Sequence, residues 1–366
     1  MGRTEVQSKA LDIAMSHKRC GLGISMGVGK TRIALQHMIK NFNQFSAFLV
    51  VAPKKSIFKA WQEECDKLEC THILDHVTFT TYLSLNKQDP DAYDVVYLDE
   101  CHSLLYSHKD FLDNYQGKIL GLTGTPPVYG EKAQLVNEFC PIKYTFGVDD
   151  ATSNNILNDY RIIVHMLNLS GLRNIPKKKN DGGIWYNSEI KDYQYQTARI
   201  DEANPGKGKQ LASIMRMKSM MDYPTKESYA KSLMKLIDDK CIVFANTQKQ
   251  ADRMADHSYH SKNPMSEENL EAFSNGYINK MSCVLQLSEG ANIPGLKAGI
   301  IMHAYGNERK SAQRIGRLLR LNPDDMAVCH ILCYMNTIDE TWISKSLSSF
   351  HEDKIKYYYP SKKSDL

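Results

Sequence analysis

Residues 313–320 combine an amide and two arginines at a helical spacing. The segment reads Gln-Arg-Ile-Gly-Arg-Leu-Leu-Arg. On a helix, Gln313, Arg317 and Arg320 stand at i, i+4 and i+7 and therefore share one face. Two fixed guanidinium groups suit a polyphosphate, because each planar fork pairs with phosphate oxygens through two hydrogen bonds. A basic surface helix is the alternative interpretation of this segment taken alone.

A glycine-rich loop far upstream has the composition of a phosphate-binding loop. Gly27 and Gly29 let backbone amides turn toward phosphate oxygens, and the helix that follows adds its positive N-terminus. Lys30 would reach the β- and γ-phosphates, and Thr31 would hold Mg²⁺. The strict pattern has glycine at position 24, where this chain has Ile24. The predicted nucleotide-binding residues of the loop are Gly27, Val28, Gly29, Lys30 and Thr31.

Two carboxylates follow the apolar run Val95–Leu98. At the carboxyl end of a strand, side chains emerge into the crevice where α/β sheets bind ligands. Asp99 would complete the Mg²⁺ shell, and Glu100 would orient and deprotonate an attacking water. The alternative is an ordinary turn that carries two solvated acids.

Three further segments carry polar groups that fit the same chemistry. Thr123 and Thr125 follow the next apolar strand and could relay hydrogen bonds from the carboxylates, although an ordinary Gly-Pro turn would explain them too. Gln7 lies 23 residues before Lys30, where it could read an adenine edge. In the turn at residues 288–294, Gly290 and Asn292 could approach the ribose and the γ-phosphate of a bound nucleotide. A plain turn is again the alternative.

Apolar runs alternate with amphipathic stretches along the whole chain, a pattern that predicts parallel sheets with helices on both faces. The predicted helices are Thr31–Asn41, Ser56–Leu68, Gln248–His257 and Lys310–Leu321. The predicted strands are Cys20–Ser25, Ala47–Ala52, Val77–Thr80, Val95–Leu98, Ile119–Thr123, Cys241–Ala245, Val284–Leu287, Gly299–His303 and Ala327–Cys333.

A chain of 366 residues is long enough for two such α/β domains. We expect domains at residues 1–150 and 151–345, with a connector near 146–150 and a tail at 346–366. Residues 171–207 include a basic, turn-rich segment and read as an exposed loop or hairpin tip inside the second domain. A solvated loop and a nucleic-acid contact are both open for this segment.

Composition excludes several classes of protein. Nine scattered cysteines without C-x-x-C spacing favour a reducing compartment, with neither disulfides nor structural zinc. No signal peptide opens the chain and no apolar run approaches the length of a membrane span, so we expect a cytoplasmic protein. Residues 1–150 carry 16 Lys and Arg against 18 Asp and Glu, whereas residues 151–366 carry 30 against 24. The positive excess therefore lies in the second half, where a polyanion could bind.

Taken together and in this order, these segments resemble the motifs of superfamily 2 helicases and translocases. The residues Asp-Glu-Cys-His and Thr-Gly-Thr differ from the Asp-Glu-Ala-Asp and Ser-Ala-Thr of DEAD-box RNA helicases. Trp61, Glu64 and the Gly-Ala-Asn at 290–292 resemble the Swi/Snf-type members and compact phage-encoded branch-migration members. The segments that resemble motifs I to VI are 27–31, 52–54, 80–82, 99–102, 123–125, 243–247, 288–292 and 313–320.

The resemblance implies two tandem RecA-like domains that bind ATP and Mg²⁺ in the cleft between them. The loop, the carboxylates and Gln7 would lie on one wall, and Arg317 and Arg320 would face them as arginine fingers beside Gln313. His102, Thr123 and Thr125 would couple the ATP site to the nucleic acid. The resemblance also implies contacts to nucleic-acid phosphates from Lys54, Thr80, Thr81, Asn246, Thr247 and Ser288.

The function that the resemblance implies is ATP-dependent DNA unwinding or translocation on duplex or branched DNA. The alternatives are an RNA helicase and a nucleotide-controlled binding module whose ATPase is vestigial. We expect a monomer in a bacterial or phage-infected host cytoplasm. DNA is the expected partner ahead of RNA, and other replication or recombination proteins are further candidates.

Overall fold

The computed structural model describes residues 1–157, 159–178, 181–284, 293–303, 326–348 and 350–360. Within these ranges the chain forms two compact units, and the division falls between Asp159 and Tyr160. Each unit is built on its own sheet. In the described ranges, no helix is long and apolar enough to cross a membrane.

The first unit has a six-stranded sheet in the order β3-β2-β4-β5-β1-β6, and all of its described strand pairs are parallel. Strands β2 and β4 are buried along their whole length, which explains why they appear in the sequence as continuous apolar runs. The strands are β1 Arg19–Ile24, β2 Phe48–Ala52, β3 Val77–Thr81, β4 Val95–Asp99, β5 Lys118–Thr123 and β6 Ile142–Phe146. The helices are α1 Arg3–Met15, α2 Lys30–Asn41, α3 Ser56–Lys67, α4 Lys109–Asn114, α5 Glu131–Phe139 and α6 Val148–Ser153.

The second unit has a seven-stranded sheet in the order β11-β12-β10-β13-β14-β7-β15 and a separate hairpin of β8 and β9. Its strands are β7 Asp159–Leu167, β8 Ile175–Lys178, β9 Ile184–Asn187, β10 Cys241–Phe244, β11 Ser258–Tyr259, β12 Lys280–Cys283, β13 Ala298–Ile301, β14 Met326–Tyr334 and β15 Ile355–Tyr358. Its helices are α7 Glu189–Glu202, α8 Lys207–Met221, α9 Pro224–Leu236, α10 Gln248–Met254, α11 Ser266–Ser274 and α12 Ile338–Leu347.

The predicted α/β architecture is confirmed in both units. Most predicted strands lie within one or two residues of the observed bounds, because buried parallel strands carry an uninterrupted apolar signal. The predicted helix Gln248–His257 ends earlier, at Met254. The predicted strand Val284–Leu287 follows β12 and, beyond Val284, lies outside the described residues, as does the helix Lys310–Leu321.

Two segments differ from their predicted character, and a third has more secondary structure than its sequence indicated. Residues 146–150 were expected to connect domains, but they contain the end of β6, where Phe146 pairs with Ile24, and the start of α6. The expected tail contributes β15, which pairs in parallel with β7. The basic insert, predicted as an exposed loop or hairpin tip, contains the β8–β9 hairpin and then continues as the helix α7. These differences depend on pairing between distant segments, which local patterns do not encode. The domain limits themselves stay predictions.

The second unit buries a complete ion pair beside its sheet. The ammonium of Lys226 on α9 donates to the Asp339 carboxylate on α12, and both side chains are at most 1% exposed. The same carboxylate accepts from the backbone amide of Tyr334 at 2.9 Å. The Tyr334 hydroxyl in turn accepts from the backbone amide of Lys226 at 3.2 Å. The network joins α9, α12 and β14, so its loss should lower the stability of the whole unit.

Replacing Lys226 with methionine should lower the free energy of unfolding by about 3 kcal/mol, because it leaves the Asp339 charge buried without its partner. Urea-induced unfolding followed by circular dichroism measures this change. Lys235→Met is the matched control, since Lys235 lies on the same helix and is exposed. Equal stability of the two variants would show that the buried pair does not hold the unit together.

Candidate active site

The glycine-rich loop runs from the end of β1 at Ile24 to the start of α2 at Lys30. Ile24 is fully buried and belongs to the strand, so the departure from the strict motif lies in the core rather than in the turn. Gly27 and Gly29 have φ angles of +85° and +108°, a region that side chains with a Cβ rarely adopt. A Cβ at Gly29 would also lie 2.5 Å from the Gln7 amide nitrogen, so only glycine fits.

Two side chains of α1 fix the carbonyl groups of this loop. Gln7 Nε2 donates to the Val28 carbonyl at 2.7 Å, and Arg3 Nη2 donates to the Gly27 carbonyl at 3.0 Å. Arg3 Nε also donates to the Val28 carbonyl, at 3.2 Å. These contacts turn carbonyls toward α1. The adenine-reading role of Gln7 stays a prediction. Sequence reasoning missed Arg3, although it precedes Gln7 by one helical turn on the same face.

Asp99 ends β4 and is 6% exposed. Its Oδ2 accepts a hydrogen bond from the Trp61 indole nitrogen at 2.8 Å, and its Oδ1 accepts one from the Glu100 amide at 3.0 Å. Burial raises the pKa of Asp99 to about 6, and the neighbouring Glu100 charge acts in the same direction. The Trp61 hydrogen bond and the Lys30 charge oppose that rise. The carboxylate is therefore held in place and poorly solvated.

Glu100 has the left-handed backbone conformation, with φ +50°. This conformation is uncommon outside glycine and is often found at functional sites. Its Oε2 is buried, lies 3.4 Å from His102 Nδ1, and receives no hydrogen bond within the described part of the chain. A buried carboxylate oxygen without a hydrogen bond, beside Asp99, fits the oxygen ligands and ordered water that Mg²⁺ prefers. Thr31, the second residue of α2, could add a hydroxyl ligand.

The loop after β5 joins the same site. His102 Nδ1 and Thr123 Oγ1 are hydrogen-bonded at 2.8 Å, and Thr123 Oγ1 also accepts from the Thr125 amide at 3.1 Å. A Cβ on Gly124 would lie 3.3 Å from Lys30 Nζ, which shows how closely this loop approaches the lysine. Strands β4, β5 and β1 are neighbours in the sheet, so their three loops meet at one edge.

The predicted nucleic-acid contacts fall at the ends of other strands. Thr80 and Thr81 close β3 and pair with Val51 and Ala52 of β2, and Lys54 lies exposed just beyond β2. The sheet therefore brings these three residues to the same edge of the first unit, where Lys54 is exposed and Thr80 is buried.

In the second unit, Asn246 and Thr247 follow β10 directly. Thr247 Oγ1 caps α10 by accepting from the Gln250 amide at 3.1 Å, so part of its hydrogen-bonding capacity is structural. The other predicted site residues lie outside the described ranges: Ser288, Gly290, Asn292, Gln313, Arg317 and Arg320.

Comparison with known families agrees with this arrangement. Residues 3–128 match the family described as the res subunit of type III restriction enzymes. Residues 225–322 match the helicase conserved C-terminal domain. A DNA 3'-5' translocase, XPB2 of Sulfurisphaera tokodaii, is 23% identical over 367 aligned residues, which cover 90% of this chain and 81% of the relative.

Solved structures share the fold at low identity. The ATP-dependent type ISP restriction-modification enzyme LlaBIII bound to DNA superposes with a TM-score of 0.64 at 15% identity. That superposition covers 98% of this chain but only 31% of the larger enzyme. The helicase domain of Hef from Pyrococcus furiosus gives a TM-score of 0.51 at 16% identity and covers 94% of this chain and 97% of that domain.

The two family matches, in tandem and in this order, define a superfamily 2 motor. The chain belongs to the superfamily 2 helicases and translocases. Use of ATP follows from that membership, and the chain is a nucleic-acid-stimulated ATPase. The resemblance to phage-encoded members stays a prediction.

Replacing Trp61 with phenylalanine should raise the Mg²⁺ concentration needed for half-maximal ATP hydrolysis about 10-fold, because partners that orient a metal ligand typically contribute that much. The phenyl ring keeps most of the packing and removes only the N–H that holds Asp99 Oδ2. Titration of ATPase activity with MgCl₂ measures the effect. Phe58→Leu is the control, since Phe58 lies on the same helix and packs on Phe79 instead. An unchanged Mg²⁺ dependence of ATP hydrolysis would show that Trp61 does not orient a metal ligand.

Proposed function

We propose that this protein is an ATP-driven DNA helicase or translocase that uses the site at the ends of β1, β4 and β5. The observation that carries the proposal is the meeting of the Lys30 loop, the Asp99–Glu100 pair and the His102–Thr123 hydrogen bond at one edge of one sheet. Similar proteins support DNA as the track, since one relative is a DNA translocase and a structural neighbour was solved bound to DNA.

The proposed chemistry is hydrolysis of the terminal phosphoanhydride of ATP. Lys30 and the amides of the glycine loop bind the β- and γ-phosphates, and Thr31 and Asp99 hold Mg²⁺, which neutralises charge on the phosphates when bound. Glu100 accepts a proton from the attacking water, because its carboxylate lies beside Asp99 and its Oε2 receives no hydrogen bond within the described residues. On sequence grounds alone we assign Arg317 and Arg320 to stabilising the charge that develops in the transition state.

The proposed link to the track passes through His102. Glu100 lies 3.4 Å from His102, which is hydrogen-bonded to Thr123 at the end of the next strand. A shift of Glu100 during hydrolysis would therefore reach the loop after β5. Lys54, Thr80 and Thr81 on the same edge of the sheet are the proposed phosphate contacts of the first unit. Such contacts suit a motor that must step along any sequence.

Lys30→Ala and Glu100→Gln should each reduce ATP turnover by at least about 10²-fold, since one removes the cation on the phosphates and the other removes the base. Glu100→Gln should still bind a fluorescent ATP analogue, because Asp99 and Thr31 remain. Lys40→Ala, in the last turn of the same helix, is the matched control for Lys30 and should be fully active. Near-normal phosphate release by Glu100→Gln would refute the assignment of the base.

ATP turnover should rise on addition of DNA, and duplex or branched DNA should stimulate best. Stimulation should weaken steeply with salt, because each neutralised duplex phosphate contributes about −0.9 to the slope of log affinity against log salt. Lys54→Ala should make that slope shallower by about one unit and weaken all sequences alike.

Lys59→Ala is the matched control, since Lys59 lies on α3 and its side chain is 81% exposed beside Glu63. Its salt slope should equal that of the unmodified protein. Stimulation by RNA with none by DNA would overturn the DNA assignment and leave the motor intact. Turnover that no nucleic acid changes would favour the nucleotide-controlled binding module.

A further inference from the structure

The β8–β9 hairpin of the second unit has two faces of different character. The strands pair antiparallel, with Pro176 opposite Tyr186, Lys177 opposite Trp185 and Lys178 opposite Ile184. Side chains alternate between the two faces of a strand. Pro176, Lys178, Ile184 and Tyr186 therefore share one face, and the residues between them share the other.

The inner face is anchored to the body of the unit. Ile175 packs against the buried core, and Asn187 is 8% exposed. Lys177 Nζ pairs with the Asp192 carboxylate of α7 at 2.7 Å, and that carboxylate is 2% exposed. Asp192 also accepts from the buried Tyr223 hydroxyl at 3.0 Å. The fully paired, buried carboxylate of Asp192 thus holds the hairpin in a defined position. A solvated loop would have no such anchor.

The outer face is open to solvent and largely apolar. Tyr186 is 54% exposed and Ile184 is 60% exposed, with Pro176 and Lys178 also exposed beside them. Lys178 and Tyr186 are diagonal neighbours across the two strands, which places a cation beside an aromatic ring. Large exposed side chains on one short hairpin contribute nothing to the core and are typical of a contact surface.

The positive charge around the outer face favours nucleic acid over protein as the binding partner. Residues 171–187 contain four Lys and Arg and a single acidic residue, Asp181. Arg173 and Lys178 are exposed, whereas the first two carboxylates of α7, Glu189 and Asp192, are buried. Lysine is depleted in protein–protein interfaces, whereas lysines beside exposed aromatic rings are the usual composition of sites for single-stranded nucleic acid.

We propose that the outer face of the β8–β9 hairpin binds unpaired nucleotides, with a base stacked on Tyr186 and the adjoining phosphate on Lys178. Stacking requires a base whose face is free, so this surface would contact single strands or the open arm of a fork and not the interior of a duplex. The inference rests on the proposed function and adds to it a contact for unpaired DNA in the second unit.

The test compares Tyr186→Ala with Tyr186→Phe in the full chain. Fluorescence anisotropy would measure the Kd for a fluorescein-labelled oligo-dT and for a blunt duplex. Tyr186→Ala should raise the oligo-dT Kd about 10-fold, a loss within the range of one stacked base, and leave the duplex Kd unchanged. Tyr186→Phe should bind like the unmodified protein, because it keeps the ring.

Two further variants sharpen the result. Lys178→Ala should reduce the salt slope for oligo-dT by about 0.7, the value for one single-strand phosphate. Tyr277→Ala removes another exposed tyrosine of the same unit, which follows α11 and is 83% exposed, and should change nothing. ATP hydrolysis without DNA should be the same in all four variants, since none touches the candidate active site.

Unchanged oligo-dT affinity in Tyr186→Ala would overturn the hairpin proposal, as would equal weakening of duplex binding or failure of the unmodified protein to bind oligo-dT. The proposed function is judged separately, by stimulation of ATP turnover with duplex DNA. If duplex DNA stimulates ATP turnover but the Tyr186 variants all bind oligo-dT alike, the proposed motor function stands and the proposed hairpin contact does not.

Discussion

A buried negative charge at the end of β4 is the feature around which the first unit is organised. Moving a carboxylate out of water is costly unless other groups replace the lost hydration. At Asp99, the indole of Trp61 and the amide of Glu100 supply two hydrogen bonds, and the Lys30 charge adds attraction. Burial nevertheless keeps the pKa of Asp99 raised, at about 6. The protein compensates this charge only in part, as is common for ionisable groups at functional sites.

The phosphate loop depends on a comparable constraint, imposed by backbone conformation. Two glycines with positive φ have no side chains that could hold the loop, and side chains of another element bind its carbonyls. Gln7 and Arg3 do this from α1, and the Gln7 amide passes so close to Gly29 that a methyl group there would collide. Burial lowers the pKa of Arg3, which reflects how far its guanidinium has been drawn from solvent. The first helix of the chain thus acts as part of the nucleotide site.

The sequence predicted well those features that depend on local patterns. Buried parallel strands are recognisable because both faces are covered, and the site residues at the ends of β1, β4 and β5 follow once those strands are placed. It could not predict contacts between distant segments. Nothing near Trp61 indicates that its indole reaches Asp99, and nothing near Phe146 indicates a sixth strand beside Ile24. The β8–β9 hairpin was predicted only as a basic, exposed loop or hairpin tip, because its pairing register and its two faces emerge only in three dimensions.

Three carboxylates with buried oxygen atoms, in the described parts of the two units, differ in how completely they are paired. In the second unit, the carboxylate of Asp339 has the Lys226 ammonium and a backbone amide, and that of Asp192 has a lysine and a tyrosine. Such complete pairing fixes the positions of helices and of the hairpin. In the first unit, Glu100 keeps a buried oxygen without a hydrogen bond in a left-handed backbone conformation. An arrangement that destabilises the folded chain in this way is retained where a bound group or a reacting water completes it. This contrast in pairing supports the candidate active site at Glu100 in the first unit and shows how firmly the hairpin is held in the second.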